Sequence, residues 1–225
     1  MSMLQDLDPQ STALIVIDMQ RDFCCPGGYA HQAGLDIARM QAVVEQARAL
    51  LVAARGAGLH VFHTREGHLP DLSDCPPAKL ARSVAAGAPI GSAGPLGRLL
   101  VRGEQGHDFV PELRPLFCEH VIDKPGYGAF HKTTLGALLS AFGVRRLLIC
   151  GVTTEVCVHS TLREAVDRGF ECLTVGDATA ASQPELQAPA LAMIGVEGGI
   201  FGGVCSTADA VQALNALPRA NQEAA

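Results

Sequence analysis

The stretch Arg146-Leu147-Leu148-Ile149-Cys150-Gly151-Val152-Thr153-Thr154-Glu155-Val156-Cys157-Val158 decides the fold. Its strand portion, Arg146 to Cys150, is too apolar for a strand with one wet face. It suits one covered on both faces, as in a parallel sheet. The run stops at Gly151, and from Val158 to Arg168 the apolar residues take helical spacing before Gly169 closes the pattern. Cys157, six residues past Gly151, therefore sits in or near a first helical turn, where peptide dipoles favour a thiolate over a thiol. A buried structural thiol is the competing reading, because free cysteine is among the most buried residue types.

Two further segments have the same design. Thr12-Ala13-Leu14-Ile15-Val16-Ile17-Asp18-Met19-Gln20 is an apolar strand ending on an acid, and His120-Val121-Ile122-Asp123-Lys124-Pro125-Gly126 is a strand ending on a lysine before a Pro/Gly turn. Open α/β sheets place ligands at the carboxyl ends of their strands. Asp18, Lys124 and Cys157 make chemical sense together there: a carboxylate accepts the thiol proton, and an ammonium holds that carboxylate and stabilises developing charge. Separately, they read as a helix cap, a solvated strand end and a core residue.

Around these anchors the chain alternates strand and helix. Strands are expected at Ala13 to Ile17, Leu59 to Thr64, Val121 to Lys124, Leu147 to Cys150, Glu171 to Val175 and Gly198 to Val204. Helices are expected at Ile37 to Gly56, Leu135 to Phe142, Val158 to Arg168 and Ala208 to Ala216. The fold class is α/β: three layers, a mostly parallel sheet with helices on both faces, in one domain over residues 1–225. The Gly/Pro-rich stretch from about 66 to 106 is too long for a plain connection and is expected to cover the active site. No internal repeat appears, and the polar tail Arg219 to Ala225 is the only biased tract.

With 48% hydrophobic and 18% charged residues, the 225-residue chain can bury a large core. A net charge of −6 with scattered lysines and arginines gives no nucleic-acid footprint. The eight cysteines show no CxxC pair, and there is neither a signal-peptide pattern nor an apolar run long enough for a membrane. The expectation is a cytoplasmic protein with reduced thiols, Cys150 and Cys172 in the core and Cys24-Cys25 near the pocket.

Val16-Ile17-Asp18-Met19-Gln20 with Asp22-Phe23, the Lys124-Pro125 pair, and Gly151 through Val158 followed by Thr161-Leu162-Arg163-Glu164-Ala165 resemble the isochorismatase-like cysteine hydrolases from about Thr12 to Leu214. The resemblance implies an Asp, Lys, Cys triad on Asp18, Lys124 and Cys157. It also implies a cis peptide before Thr153, with backbone N–H groups near Thr153 and Cys157 as the oxyanion hole. No cofactor is implied, and a homo-oligomer, a tetramer by the family's habit, is expected. Within the superfamily the chain looks most like biuret hydrolase and its relatives, through His63-Thr64-Arg65-Glu66-Gly67-His68, Pro70-Asp71-Leu72, Arg98 to Gly106, Asp123 to Gly126 and Gly198-Gly199-Ile200-Phe201-Gly202.

Two departures from that enzyme stand at Tyr127, where it has a lysine, and at Glu197, where it has a glutamine. An ionised glutamate only accepts hydrogen bonds, whereas a glutamine both donates and accepts. The exchange points to a ligand richer in N–H groups, such as triuret or the cationic guanylurea, provided both side chains face the pocket. The expected function is cysteine-dependent amide hydrolysis of a small urea oligomer through a thioester, releasing ammonia. Guanylurea or ureidoacrylate hydrolysis is the alternative, and isochorismate vinyl-ether hydrolysis or a non-catalytic thiol protein represents other classes. Expected substrate contacts are Gln20, Phe23, Arg65, Tyr127 and Glu197. No metal is expected, because His60 and His63 alternate across their strand; His63 or His68 is expected to wall the site instead.

Overall fold

The computed structural model describes residues 4–217, so the tail Arg219 to Ala225 lies outside the described residues. Strands β1 (Thr12–Ile17), β2 (His60–Glu66), β5 (His120–Lys124), β6 (Arg146–Val152), β7 (Glu171–Ala180) and β8 (Gly203–Cys205) form one sheet in the order β5-β2-β1-β6-β7-β8. Every pairing in it is parallel. A small antiparallel pair, β3 (Ala93–Gly94) with β4 (Gly97–Arg98), lies between β2 and β5 in the chain. The connecting helices are α1 (Arg21–Cys24), α2 (Tyr29–Gln32), α3 (Ile37–Ala42), α4 (Val44–Gly56), α5 (Pro77–Ala85), α6 (Leu135–Ala141), α7 (His159–Asp167), α8 (Pro184–Ile194), the short turn α9 (Val196–Gly199) and α10 (Thr207–Asn215).

The two-residue period of a strand splits β1 between two cores. Leu14 and Val16 pack with Ala47, Leu50 and Leu51 of α4 and with Ala210 and Leu214 of α10. Ala13, Ile15 and Ile17 pack with Leu135 and Leu139 of α6 and with Leu162 and Ala165 of α7. All six β1 residues are buried, which explains the uninterrupted apolar run from Ala13 to Ile17. Each fully buried Leu or Ile contributes about 1.5–3 kcal/mol over an exposed one.

Three expected elements differ in the structure. The helix expected from Ile37 to Gly56 breaks at Val43, whose ψ of −4° separates α3 from α4. The strand expected at Gly198 to Val204 shrinks to β8, because Glu197 and Gly198 are left-handed, at φ 51° and 78°. The 66–106 stretch holds α5, which begins at Pro77 with φ preset for a first helical turn.

The strand order places the site. From β1 the chain steps outward to β2 and β5, then returns to the other side of β1 as β6. The switch point therefore lies between β1 and β6, where open α/β sheets bind ligands. Gly151 lets these two strands close there: its φ is 112°, and a Cβ on it would stand 2.0 Å from the Ile17 carbonyl oxygen.

Candidate active site

Four strand ends converge at this switch point. Asp18 follows β1 directly and is itself left-handed at φ 50°, a conformation that aspartate tolerates better than most residues. Glu66 ends β2 and Lys124 ends β5, paired across the ladder. Cys157 lies beyond β6 in a π-turn (Thr154–Val158), where the Val156 and Val158 N–H groups both donate to the Thr153 carbonyl. The Val152–Thr153 peptide is cis.

The side chains meet in a buried cluster. Lys124 Nζ is 2.7 Å from Asp18 Oδ2 and 3.4 Å from Glu66 Oε2. It also donates to the Gly126 and Tyr127 carbonyls at 3.0 and 2.9 Å. Thr64 Oγ1 donates to Asp18 Oδ1 at 2.6 Å, which fixes the carboxylate's rotation. Cys157 Sγ donates to Glu66 Oε2 at 3.3 Å, and Lys79 Nζ on α5 is 2.7 Å from Glu66 Oε1 and from the Pro125 carbonyl. One ligand atom from each of Asp18, Glu66 and Cys157 fits within 4.8 Å, a spacing that could hold a metal ion. Both carboxylates already bear an ammonium, however, so positive charge is supplied by the chain itself.

Protonation follows from this arrangement. Burial pushes the Cys157 thiol well above its ordinary range, Asp18 and Glu66 add to the push, and Lys124 opposes it. Burial also raises Asp18 against the pull of Lys124. Glu66 differs: burial would raise it, but Lys124 and Lys79 together hold it below the usual carboxylate range. Lys124 stays charged although buried, because Asp18, Cys157 and Glu66 surround it.

Cys157 and Glu66 open onto a cavity of about 260 Å³. Phe23 and Tyr29 form part of its wall, with Tyr127, Thr153 and, from α5, Lys79 and Arg82. The 66–106 stretch thus supplies part of the wall. The structure brings Asp18, Lys124 and Cys157 together, and lines the cavity with Phe23, Tyr127 and Thr153. Three expected substrate contacts lie elsewhere.

Gln20 is buried and clamps backbone: its amide nitrogen donates to the Glu66 and His107 carbonyls at 3.1 Å each, and its oxygen accepts from the Glu66 N–H at 2.7 Å. Arg65 is held by a forked ion pair to Asp123, at 2.7 and 3.0 Å. Glu197 is exposed on the α9 turn and does not line the cavity, so its charge gives no ground for a ligand rich in N–H groups.

Nor do the histidines wall the site. His63 Nε2 is 3.0 Å from Glu119 Oε2, and His68 Nδ1 is 3.2 Å from Asp74 Oδ1. Cys24 is buried in the core and does not itself line the cavity, although its neighbour Phe23 does. Glu66 and Lys79 were not expected. Glu66 carries the same signal as Asp18 and Lys124, a charge closing a strand, but the strand extends to Glu66 rather than stopping at Thr64.

The isochorismatase domain model matches residues 12–209. The ureidoacrylate amidohydrolase RutB of Caulobacter segnis is 34% identical over 206 residues, covering 90% of this chain and 85% of that protein. The Serratia proteamaculans protein of the same name is 34% identical, over 79% of this chain and 73% of its own. Among solved structures, a cysteine hydrolase from Pseudomonas syringae pv. phaseolicola superposes with a TM-score of 0.79 at 28% identity, covering 94% of this chain and 96% of that one. An isochorismatase family protein from Desulfovibrio vulgaris superposes at 0.73 with 28% identity, covering 91% and 96%.

Proposed function

The chain belongs to the isochorismatase family, and from that premise we propose that it is a cysteine amidohydrolase cleaving a C–N bond of a small ureido acid, of the ureidoacrylate type. The observation that carries the acid is Arg82. It lines the cavity, and it has no carboxylate partner among the described residues, whereas Lys79 on the same wall is taken up by Glu66. A guanidinium there suits a substrate carboxylate. The curated relatives that act on ureidoacrylate support the same class. A cavity of about 260 Å³ suits a small solute.

In the reaction, Asp18 takes the thiol proton as Cys157 Sγ bonds to the ureido carbonyl carbon. The oxyanion develops against the N–H groups of Thr153 and Cys157. The C–N bond breaks, Asp18 returns the proton to the departing nitrogen, and the carbonyl carbon remains on sulfur as a carbamoyl thioester. Water adds to that carbon, the S–C bond breaks, the thiol recovers a proton, and the released carbamate falls apart to carbon dioxide and ammonia. Lys124 holds Asp18 oriented throughout.

Ammonia release is measured over ureidoacrylate, biuret, triuret and guanylurea. Turnover highest on ureidoacrylate is expected. Preference for biuret or triuret would move the reading to neutral urea oligomers, and no ammonia from any of the four would overturn amide hydrolysis.

A further inference from the structure

A second ion pair stands against the thiol, and no step above uses it. Glu66 Oε2 accepts from Cys157 Sγ at 3.3 Å while Glu66 Oε1 is 2.7 Å from Lys79 Nζ, and both side chains are buried. Lys79 in turn stands 4.9 Å from the centre of the Tyr127 ring, so an aromatic face covers one side of it on the cavity wall. Two ammonium ions, Lys79 and Lys124, thus face three acids, Asp18, Glu66 and Cys157.

Uncompensated charge is costly where water is excluded, so such a cluster is driven towards neutrality. Two cations balance two anions, which leaves one acidic proton among three acids. Glu66 touches both lysines, whereas Asp18 touches only Lys124. Glu66 is therefore the acid that stays ionised, and the proton is left to Asp18 and Cys157.

We propose that the Glu66–Lys79 pair sets the protonation state of Cys157: Glu66 takes up the charge of Lys79 and part of that of Lys124, so the nucleophile rests as a thiol and ionises only as Asp18 takes its proton. The directions at the three acids agree, with Cys157 and Asp18 raised and Glu66 lowered. The other titratable or charged groups facing the cavity are Tyr29 on α2, Arg82 on α5, Tyr127 after β5 and Glu155 after β6. None of these hydrogen-bonds the sulfur. Lys79 acts through Glu66 and is a positioning residue, whereas Glu66 touches the reacting atom.

The test is the rate of carbamidomethylation at Cys157 by iodoacetamide across pH, read by mass spectrometry on the Cys157 peptide. That readout separates it from the exposed Cys118 and the partly exposed Cys25, Cys75 and Cys205. Glu66→Gln leaves two cations for two acids, so the thiolate forms at rest. Its half-point should fall by at least about one pH unit, a roughly tenfold faster reaction at neutral pH.

Lys79→Met leaves one cation for three acids, and the half-point should rise. The double variant leaves one cation for two acids, again with one proton, and should return towards the wild type. No shift in Glu66→Gln, or shifts of both single variants in the same direction, would overturn the proposal. Should Lys79→Met fail to fold, the return of the double variant relative to Glu66→Gln decides the sign. Only the consequence for turnover rests on Cys157 as the nucleophile. The thiol titration needs no substrate, so it stands apart from the outcome of the ammonia panel.

Discussion

Glu66 and Lys124 stand directly opposite each other in the β2–β5 ladder, and their side chains meet at the carboxyl end of the sheet with Nζ 3.4 Å from Oε2. That pairing makes the lysine a bridge. Its other contact is Asp18 on β1, so one ammonium joins the ends of three neighbouring strands below the thiol on the fourth. Parallel pairing brings this about, because it collects every strand's carboxyl end on one edge of the sheet.

Cys157→Ser should fold and bind substrate but lose at least about a thousandfold in kcat. A serine hydroxyl holds its proton far more tightly than a thiol, and Asp18 cannot remove it. Single-turnover kinetics with the preferred ureido compound checks this, and a serine variant within tenfold of the wild type would rule out the covalent route.

Lys124→Met should destabilise the fold by about 3–5 kcal/mol, because Asp18 is fully buried and loses the one ammonium that pairs with it among the described residues. Asp18→Asn combined with Lys124→Met removes the stranded charge and should recover part of that loss, although activity stays absent. Denaturant midpoints of the two variants decide the matter; equal destabilisation would mean that the lysine's carbonyl contacts, and not the ion pair, carry the stability.

How much of this was legible in the chain depends on the kind of signal. Asp18, Lys124 and Cys157 punctuate apolar runs, and the parallel-sheet reading alone gathers strand ends into one place. Arg65 differs from its expected place by one residue of alternation: neighbours on a strand point to opposite faces, and it is Glu66, not Arg65, that turns to the cavity. Lys79 had no local signal, since it lies on α5 inside a Gly/Pro-rich stretch, and only tertiary packing brings that helix over the sheet. Glu197 offers the sequence only a charge, and in the structure it sits on a left-handed turn outside the cavity lining.

Acid should weaken the fold through Glu119. Although burial acts to raise this carboxyl, the Arg55 fork, His63 and the Leu116 N–H hold it down at about 2. The unfolded chain takes up its proton first as pH falls through about 4.5, so the contribution of Glu119 is complete above that pH and is lost between about 4.5 and about 2. His63, lowered chiefly by burial, also favours unfolding once protonated. Glu119→Gln should be less stable than the wild type at neutral pH and show a flatter decline across that acid window, as measured by urea midpoints from pH 7 to 3; parallel curves would remove Glu119 from the acid response.

Substrate choice should respond to Arg82 and not to Glu197. Arg82 stands on the cavity wall, and a charge-assisted hydrogen bond to a substrate carboxylate is worth about 1.5–3 kcal/mol, so Arg82→Ala should raise KM for ureidoacrylate about tenfold or more. Biuret has no carboxylate, and its KM should stay within about twofold. The kcat on ureidoacrylate should change less than KM, because the contact lies away from the bond that breaks. Glu197→Gln, outside the cavity, should leave the ratio of kcat/KM values for the two compounds unchanged. Measured side by side, a ratio that moves with Glu197 while Arg82→Ala leaves it fixed would place the specificity determinant on the α9 turn and not on α5.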